Sequence, residues 1–414
     1  MADLAHLAEY EMSLTQSWRW YGPNDIVTLN NIEQAGAFGI VNALHSIPVG
    51  EIWELNDIRD RKKLIEWDAD NSKPRNLKWV VVESLNVHES IRQGRADKDE
   101  YIQKYIQSLK NLSECGIQIV CYNFMPLLDW TRTDLKFKVA EGSLALRFDW
   151  SALIAFDLYI LERENAIVDY SESEVEGAKN YFVTLSESDI KELTDCILQG
   201  LPGTSEVFSI EKFKSLLKEY SGIDRNKLKQ NLKYFLQNVI PEAEKLGIKL
   251  CCHPDDPPFP LFGIPRIVSS EEDLEYLVNC SVSPSNGITF CTGSLGPNPN
   301  NDLPGIIKRL GDNIHFVHLR NIQRQNGKSF YEANHLGGSI DMYEVMEALV
   351  KESKRRLSID RDDYAIPYRP DHGHQMMDDL NKEIPFHGYS AIGRMKGLAE
   401  LRGLELGIRR SLSR

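Results

Sequence analysis

The chain has 414 residues, 42% hydrophobic and 26% charged, which allows a large buried core and excludes a disordered chain. Its formal net charge is −13, from 48 Lys+Arg against 61 Asp+Glu, so the basic footprint of a nonspecific nucleic-acid binder is missing. No run approaches the roughly 18 apolar residues of a membrane span, and the acidic N-terminus has neither the basic nor the apolar region of a signal peptide. The seven cysteines, Cys115, Cys121, Cys196, Cys251, Cys252, Cys280 and Cys291, are odd in number and form no C-x-x-C pair. That usage predicts free thiols in a reducing compartment, by default the cytoplasm.

Short apolar runs recur along the chain. In order they are Trp18–Gly22, Gly39–His45, Trp79–Glu83, Ile117–Asn123, Ile248–His253, Gly287–Cys291, Ile314–Leu319 and Ile366–Asp371. They are rich in Val and Ile and do not alternate with polar residues, as suits parallel strands buried on both faces. Several end on a polar residue: Glu83, Asn123, His253, Cys291, His318, Asp371. The stretches between them look helical. Ile102, Ile106, Leu109 and Leu112 fall at helical spacing, with Gly116 as the stop. Eight strands alternating with helices predict a (β/α)8 barrel of the α/β class, whose chemistry sits at the C-terminal strand ends.

One gap, about 127–246 between strands four and five, is too long for a single loop. Capping signals at Ser188-Asp189-Ile190-Lys191-Glu192 and at Ser209-Ile210-Glu211-Lys212 predict a helical insertion. It is expected to lie outside the barrel, where it either shapes the active site as a lid or builds a homo-oligomer, with a dimer as the expected state.

The chemistry-bearing residues sit at the strand ends. His253, Cys291, His318 and Asp371 close the last four predicted strands. A divalent metal needs several lone-pair donors converging on one point, and barrel geometry supplies that convergence without any local zinc-finger spacing. Each residue alone reads equally as a structural His or a small core Cys. The densest polar cluster is Arg369-Pro370-Asp371-His372-Gly373-His374. There Asp371 is placed to ligate a metal and His372 to act as a base, while His374 is expected to face solvent. In Pro254-Asp255-Asp256-Pro257-Pro258 the two acids either orient His253 or are solvated on a rigid surface loop. Trp18, Trp20 and Tyr21 either wall a sugar-sized pocket or fill the core. G-x-G-x-x-G after a strand, the P-loop, H-E-x-x-H and G-x-S-x-G are all missing, so dinucleotide, nucleotide, zincin and α/β-hydrolase readings lack support.

The segments Trp18–Asp25, Cys121–Pro126, Asp129–Thr133, Cys252–Pro258, Cys291–Ser294, Arg369–Gly373 and Gly388–Arg394 together resemble the D-mannonate dehydratases of the xylose-isomerase-like barrel type. The resemblance runs from about residue 18 to the C-terminus. It implies an N-terminal tail over 1–17 and a single barrel domain over 18–414. It also implies a metal-dependent hydro-lyase of hexuronate breakdown that converts D-mannonate to 2-keto-3-deoxy-D-gluconate. Mn2+ is the implied metal, with Fe2+ the alternative. The family's ligands fall on His253, Cys291, His318 and Asp371, and its catalytic pair on His372 and Tyr389. The two share the taking of the C2 proton and the protonation of the leaving hydroxyl; the sequence leaves open which does which, with Tyr389 as base and His372 as acid the favoured assignment. Arg369, Asn123 and Trp20 are the candidate substrate contacts, although Arg369 can equally serve as a salt bridge within the barrel. An Arg expected near Asn298 is absent. Two rival readings are a metal-dependent sugar isomerase or epimerase, whose metal shells are carboxylate-rich, and a sugar-acid-binding barrel without catalysis.

Overall fold

The computed structural model describes residues 14–199 and 209–412. Eight parallel strands close into a barrel: β1 (Thr15–Arg19), β2 (Gly39–Asn42), β3 (Lys78–Glu83), β4 (Ile119–Asn123), β5 (Lys249–His253), β6 (Asn286–Cys291), β7 (Ile314–His318) and β8 (Pro367–Arg369). Each strand pairs with its sequence neighbours, and β1 closes the ring on β8. The strands are followed in turn by α1 (Leu29–Gln34), α2 (Leu55–Glu66), α3 (Lys98–Glu114), α4 (Arg225–Lys245), α5 (Glu271–Asn279), α6 (Leu303–Leu310), α7 (Met342–Ser358) and α8 (Ala391–Ser411). This is the (β/α)8 barrel that the apolar runs predict. Gly116 follows α3 at φ +72°, a left-handed stop.

The expected tail is shorter than 1–17. Thr15 and Gln16 pair with Pro367 and Tyr368, and Ser17 Oγ donates to Tyr368 O at 2.7 Å, so the barrel needs these residues to close. Residues 1–13 lie outside the described residues.

The barrel interior is filled by Val41, Val81, Cys121, Cys251 and Phe316, one each from β2, β3, β4, β5 and β7. Here Cys121 and Cys251 act as small apolar groups, and all seven cysteines are free thiols. The larger core lies between strands and helices, where Val345, Met346, Leu349 and Val350 present the buried face of α7. Among the described residues, no helix is long and apolar enough to cross a membrane.

The segment between β4 and β5 carries the expected helices, Trp150–Ala155, Glu172–Phe182, Glu187–Leu198 and Ile210–Glu219. Ser209 caps the last of these, its hydroxyl oxygen accepting from Lys212 N–H. The third is capped by Ser186 rather than Ser188, because Asp189 completes a capping box with Ser186. The segment opens with an addition that periodicity did not signal: a hairpin of Asp134–Lys138 and Leu144–Phe148. That hairpin joins Ile322–Arg324 and Phe330–Glu332, from the loop after β7, in a four-stranded antiparallel sheet.

His315, on β7 away from the catalytic strand ends, is buried with neither ring nitrogen hydrogen-bonded among the described residues. Burial, with Lys249 and Arg356 nearby, pushes its imidazole down to about 3. The unfolded chain therefore binds a proton here below about pH 6.5 that the folded chain refuses. Stability is full above that value and is lost as pH falls from 6.5 toward 3. Between pH 6.5 and 5 this residue alone should remove about 2 kcal/mol. A His315→Gln variant should lose less stability over that interval by chemical denaturation. An identical pH dependence in the two proteins would refute this account.

Candidate active site

At the C-terminal strand ends lies a cavity of about 40 Å3, room for a few water molecules, lined by Arg19 from β1, Glu83 from β3, Cys121 and Asn123 from β4, His253 from β5 and Arg369 from β8. Strand register aligns the strand ends: Asn123 lies beside His253, Cys291 beside His318, and His318 beside Arg369. His253, Cys291 and His318 bring one donor atom each to within 4.8 Å of one another. His253 donates Nδ1–H to Pro254 O at 2.7 Å, which leaves Nε2 facing His318 Nδ1 at 3.1 Å. Cys291 Sγ accepts from Ser294 Oγ at 3.1 Å. His318 turns Nε2 toward Glu83 Oε2 at 3.4 Å.

Asp371 stands at the edge of this cluster, 3.8 Å from Cys291 Sγ and 3.9 Å from His318 Nδ1. It lies two residues beyond the end of β8, at φ +62°, a conformation uncommon for a non-glycine residue. Arg369 holds its Oδ1 at 2.6 Å, and Arg320 Nε lies 3.3 Å from Oδ2. Burial opposes the charge on Asp371, yet Arg369 foremost, with His372 and Arg320, keeps its carboxyl well below the usual range.

Beside the cluster, His372 Nε2 and Tyr389 Oη are 3.0 Å apart. His372 donates Nδ1–H to Glu332, whose oxygens lie at 2.8 and 2.9 Å. The loop holding Tyr389 packs directly on the one holding His372: Gly373 N–H donates to Gly388 O at 2.8 Å. A Cβ at Gly373 would meet Arg394 N at 2.3 Å, so only glycine permits this approach. Tyr389 is further fixed by an edge contact with Tyr21, ring centroids 4.9 Å apart.

Behind His372 lies a buried network that sequence reasoning did not find. Glu332 accepts from Arg132 at 3.0 Å and from Arg320 at 2.9 Å. Asp256 accepts from Arg132 at 2.8 and 3.1 Å and from Arg320 at 2.7 Å. Two guanidinium groups thus face two carboxylates. Burial resists the charge on Glu332, but His372 and the arginines lower its carboxyl to about 2. Glu332 is an anion throughout the neutral range and holds the tilt of His372, and Arg320 Nη1 lies 3.0 Å from the same His372 Nδ1.

Several expectations need correction. His374 does not face solvent; it is buried and donates Nε2–H to Glu332 O at 2.7 Å, steadying that strand. Asp255 and Asp256 are neither solvated nor partners of His253. Asp255 accepts from Val268 N and Ser269 Oγ at 2.7 and 2.8 Å, while Asp256 serves the two arginines. Trp20 belongs to the main core and does not line the cavity, nor do Trp18 and Tyr21. Arg369 lines the cavity but is taken up by Glu83 at 2.7 and 3.0 Å and by Asp371, so it acts as the salt bridge of its two readings. Asn123 lines the cavity and accepts from Arg92 at 2.9 Å. Asn298 forms a turn with Asn300 and does not reach the cavity.

Fold and site together define an enzyme of the (β/α)8-barrel class with its chemistry at the C-terminal strand ends. The family model for D-mannonate dehydratase (UxuA) matches residues 14–414. A mannonate dehydratase of Marinomonas sp. (strain MWYL1) is 50% identical over 403 residues, covering 96% of this chain and 100% of that protein. One of Chromohalobacter salexigens is 49% identical over 398 residues, covering 96% and 99%. The crystal structure of mannonate dehydratase from Streptococcus suis serotype 2 superposes with a TM-score of 0.74 at 31% identity, covering 97% of this chain and 95% of that one. The chain belongs to the D-mannonate dehydratase family. That membership decides against the isomerase, epimerase and non-catalytic readings.

Proposed function

We propose that the chain removes water from D-mannonate to give 2-keto-3-deoxy-D-gluconate, using a divalent metal held by His253, Cys291, His318 and Asp371 and proton transfer by His372 and Tyr389. The observation that carries this reading is the 3.0 Å His372–Tyr389 contact beside a cluster of three donors within 4.8 Å of one another.

The residues fit a metal. Ligands bound at about 2.0–2.3 Å around one ion lie roughly 3–4 Å from each other, and the two ring nitrogens already approach to 3.1 Å. Asp371, with its carboxylate 3.8 Å from Cys291 Sγ and 3.9 Å from His318 Nδ1, would be the fourth ligand. Mn2+ is the proposed metal and Fe2+ the alternative; nitrogen and sulfur donors also suit zinc, so activity rather than bound content identifies the working ion. When bound, the ion supplies the Lewis acidity that steadies negative charge on the substrate carboxylate as the C2 proton leaves.

The chain's own groups move the protons. Tyr389 Oη, acting as the phenolate, takes the proton from C2, and His372, acting as the imidazolium, delivers one from Nε2 to the C3 hydroxyl, which departs as water; the pair ends as phenol and neutral imidazole. The resulting enol relaxes to the 2-keto acid. His372 is suited to the donor role because Glu332 at Nδ1 supports positive charge on the ring, as a buried carboxylate does behind a catalytic imidazole.

The test is an assay of the purified chain on D-mannonate, reading the 2-keto acid after treatment with chelator and again after adding Mn2+. Product should appear only with metal. No product in either arm would overturn the proposal.

A further inference from the structure

The catalytic cavity is too small for a six-carbon sugar acid. A chamber of about 610 Å3 adjoins it, with walls that include His45, Arg92, Tyr101 and Lys212. Ser84, Met125 and Asp129 line both spaces, so they form the opening between them. Asp129 is half-buried there. Among the described residues, none donates a hydrogen bond to its carboxylate and none forms an ion pair with it. Every other carboxylate that lines the catalytic cavity, Glu83, Asp256 and Asp371, is held by an arginine. Burial pushes the Asp129 carboxyl up to about 6, against the pull of Arg92 and His253.

We propose that Asp129 is a specificity-determining residue that accepts hydrogen bonds from the C4–C6 hydroxyls of the sugar acid and repels substrates carrying a second carboxylate at that end. This inference rests on the reading of function given above. The donor cluster and the His372–Tyr389 pair engage C1 to C3. The rest of the substrate is uncharged and rich in O–H donors, and it must pass the opening to fit. A carboxylate without donors complements those hydroxyls, whereas a carboxylate at C6 would meet a like charge there.

The experiment compares kcat/KM in wild type, Asp129→Ala and Asp129→Asn. The substrates are D-mannonate, a four-carbon aldonate of the same C2 and C3 configuration, and the six-carbon dicarboxylate. Asp129→Ala should lower kcat/KM for D-mannonate about 10- to 100-fold, mainly through KM, since a charged acceptor would be lost. The four-carbon acid should change by less than about threefold, because it lacks the hydroxyls in question. The dicarboxylate should gain on D-mannonate by about tenfold in both variants. Asp129→Asn should keep part of the D-mannonate rate, because an amide oxygen still accepts. Metal content and melting temperature should match wild type. Equal losses on the six- and four-carbon acids, loss of metal, or an unchanged D-mannonate KM would overturn the inference. A wild-type chain inactive on D-mannonate would instead overturn the reading of function.

Discussion

His372→Asn and Tyr389→Phe should each lower turnover on D-mannonate by about 10²–10⁴-fold, the usual contribution of one positioned proton-transfer group. The two side chains meet at 3.0 Å, and neither variant removes a donor of the His253–Cys291–His318 cluster. Metal content and fold should therefore survive, and KM should move much less than kcat. The double variant should lose less than the product of the two single losses, because both groups serve one elimination. Tyr389→Phe keeps the ring that packs edge-on against Tyr21 and removes only the hydroxyl. It therefore separates chemistry from packing more cleanly than His372→Asn, which also removes one of the three partners of Glu332. Turnover of Tyr389→Phe within about threefold of wild type would take that residue out of the mechanism.

The second large effect concerns the donor cluster. Cys291→Ala and His318→Ala should each lose bound metal on dialysis, and turnover should fall by roughly 10³-fold or more, since the Lewis acid supplies several kcal/mol. Asp371→Ala should retain more metal than either, because its carboxylate stands at 3.8–3.9 Å from its neighbours and is shared with Arg369. Metal analysis by mass spectrometry, followed by titration with Mn2+, reads both quantities. Full occupancy in Cys291→Ala and His318→Ala would remove the cluster from consideration as the metal centre. Activity restored by zinc alone would contradict the preference for Mn2+.

The barrel was legible because parallel strands buried on both faces must be written as contiguous apolar runs, and their C-terminal residues need not be. His253, Cys291 and His318 stood out as polar groups closing such runs, and strand register then brought them together. Glu332 had no such signal. It sits on a strand of three residues, Phe330–Glu332, whose partner Leu144–Phe148 lies on the far side of the β5 and β6 units in sequence. Arg132 and Arg320 were hidden for the same reason, since each is defined by acids remote along the chain. His374 misled because a Gly-flanked polar turn normally faces water, whereas here the small antiparallel sheet covers it. Trp20 misled because an aromatic ring beside a strand end packs against the core as readily as it lines a pocket.

That small sheet changes how the molecule can vary. In most barrels of this kind the loops at the catalytic end are independent modules, each free to be exchanged over a fixed scaffold. Here the hairpin after β4 and the loop after β7 are hydrogen-bonded into one body, and Glu332 and Arg320 are where that body touches His372. The donor cluster of His253, Cys291 and His318 hangs from the strands themselves, while the orientation of His372 is set by a splint that spans two loops. A graft of either loop alone would keep the donor cluster and lose the alignment of His372. The two segments must therefore be inherited, exchanged or redesigned as a pair.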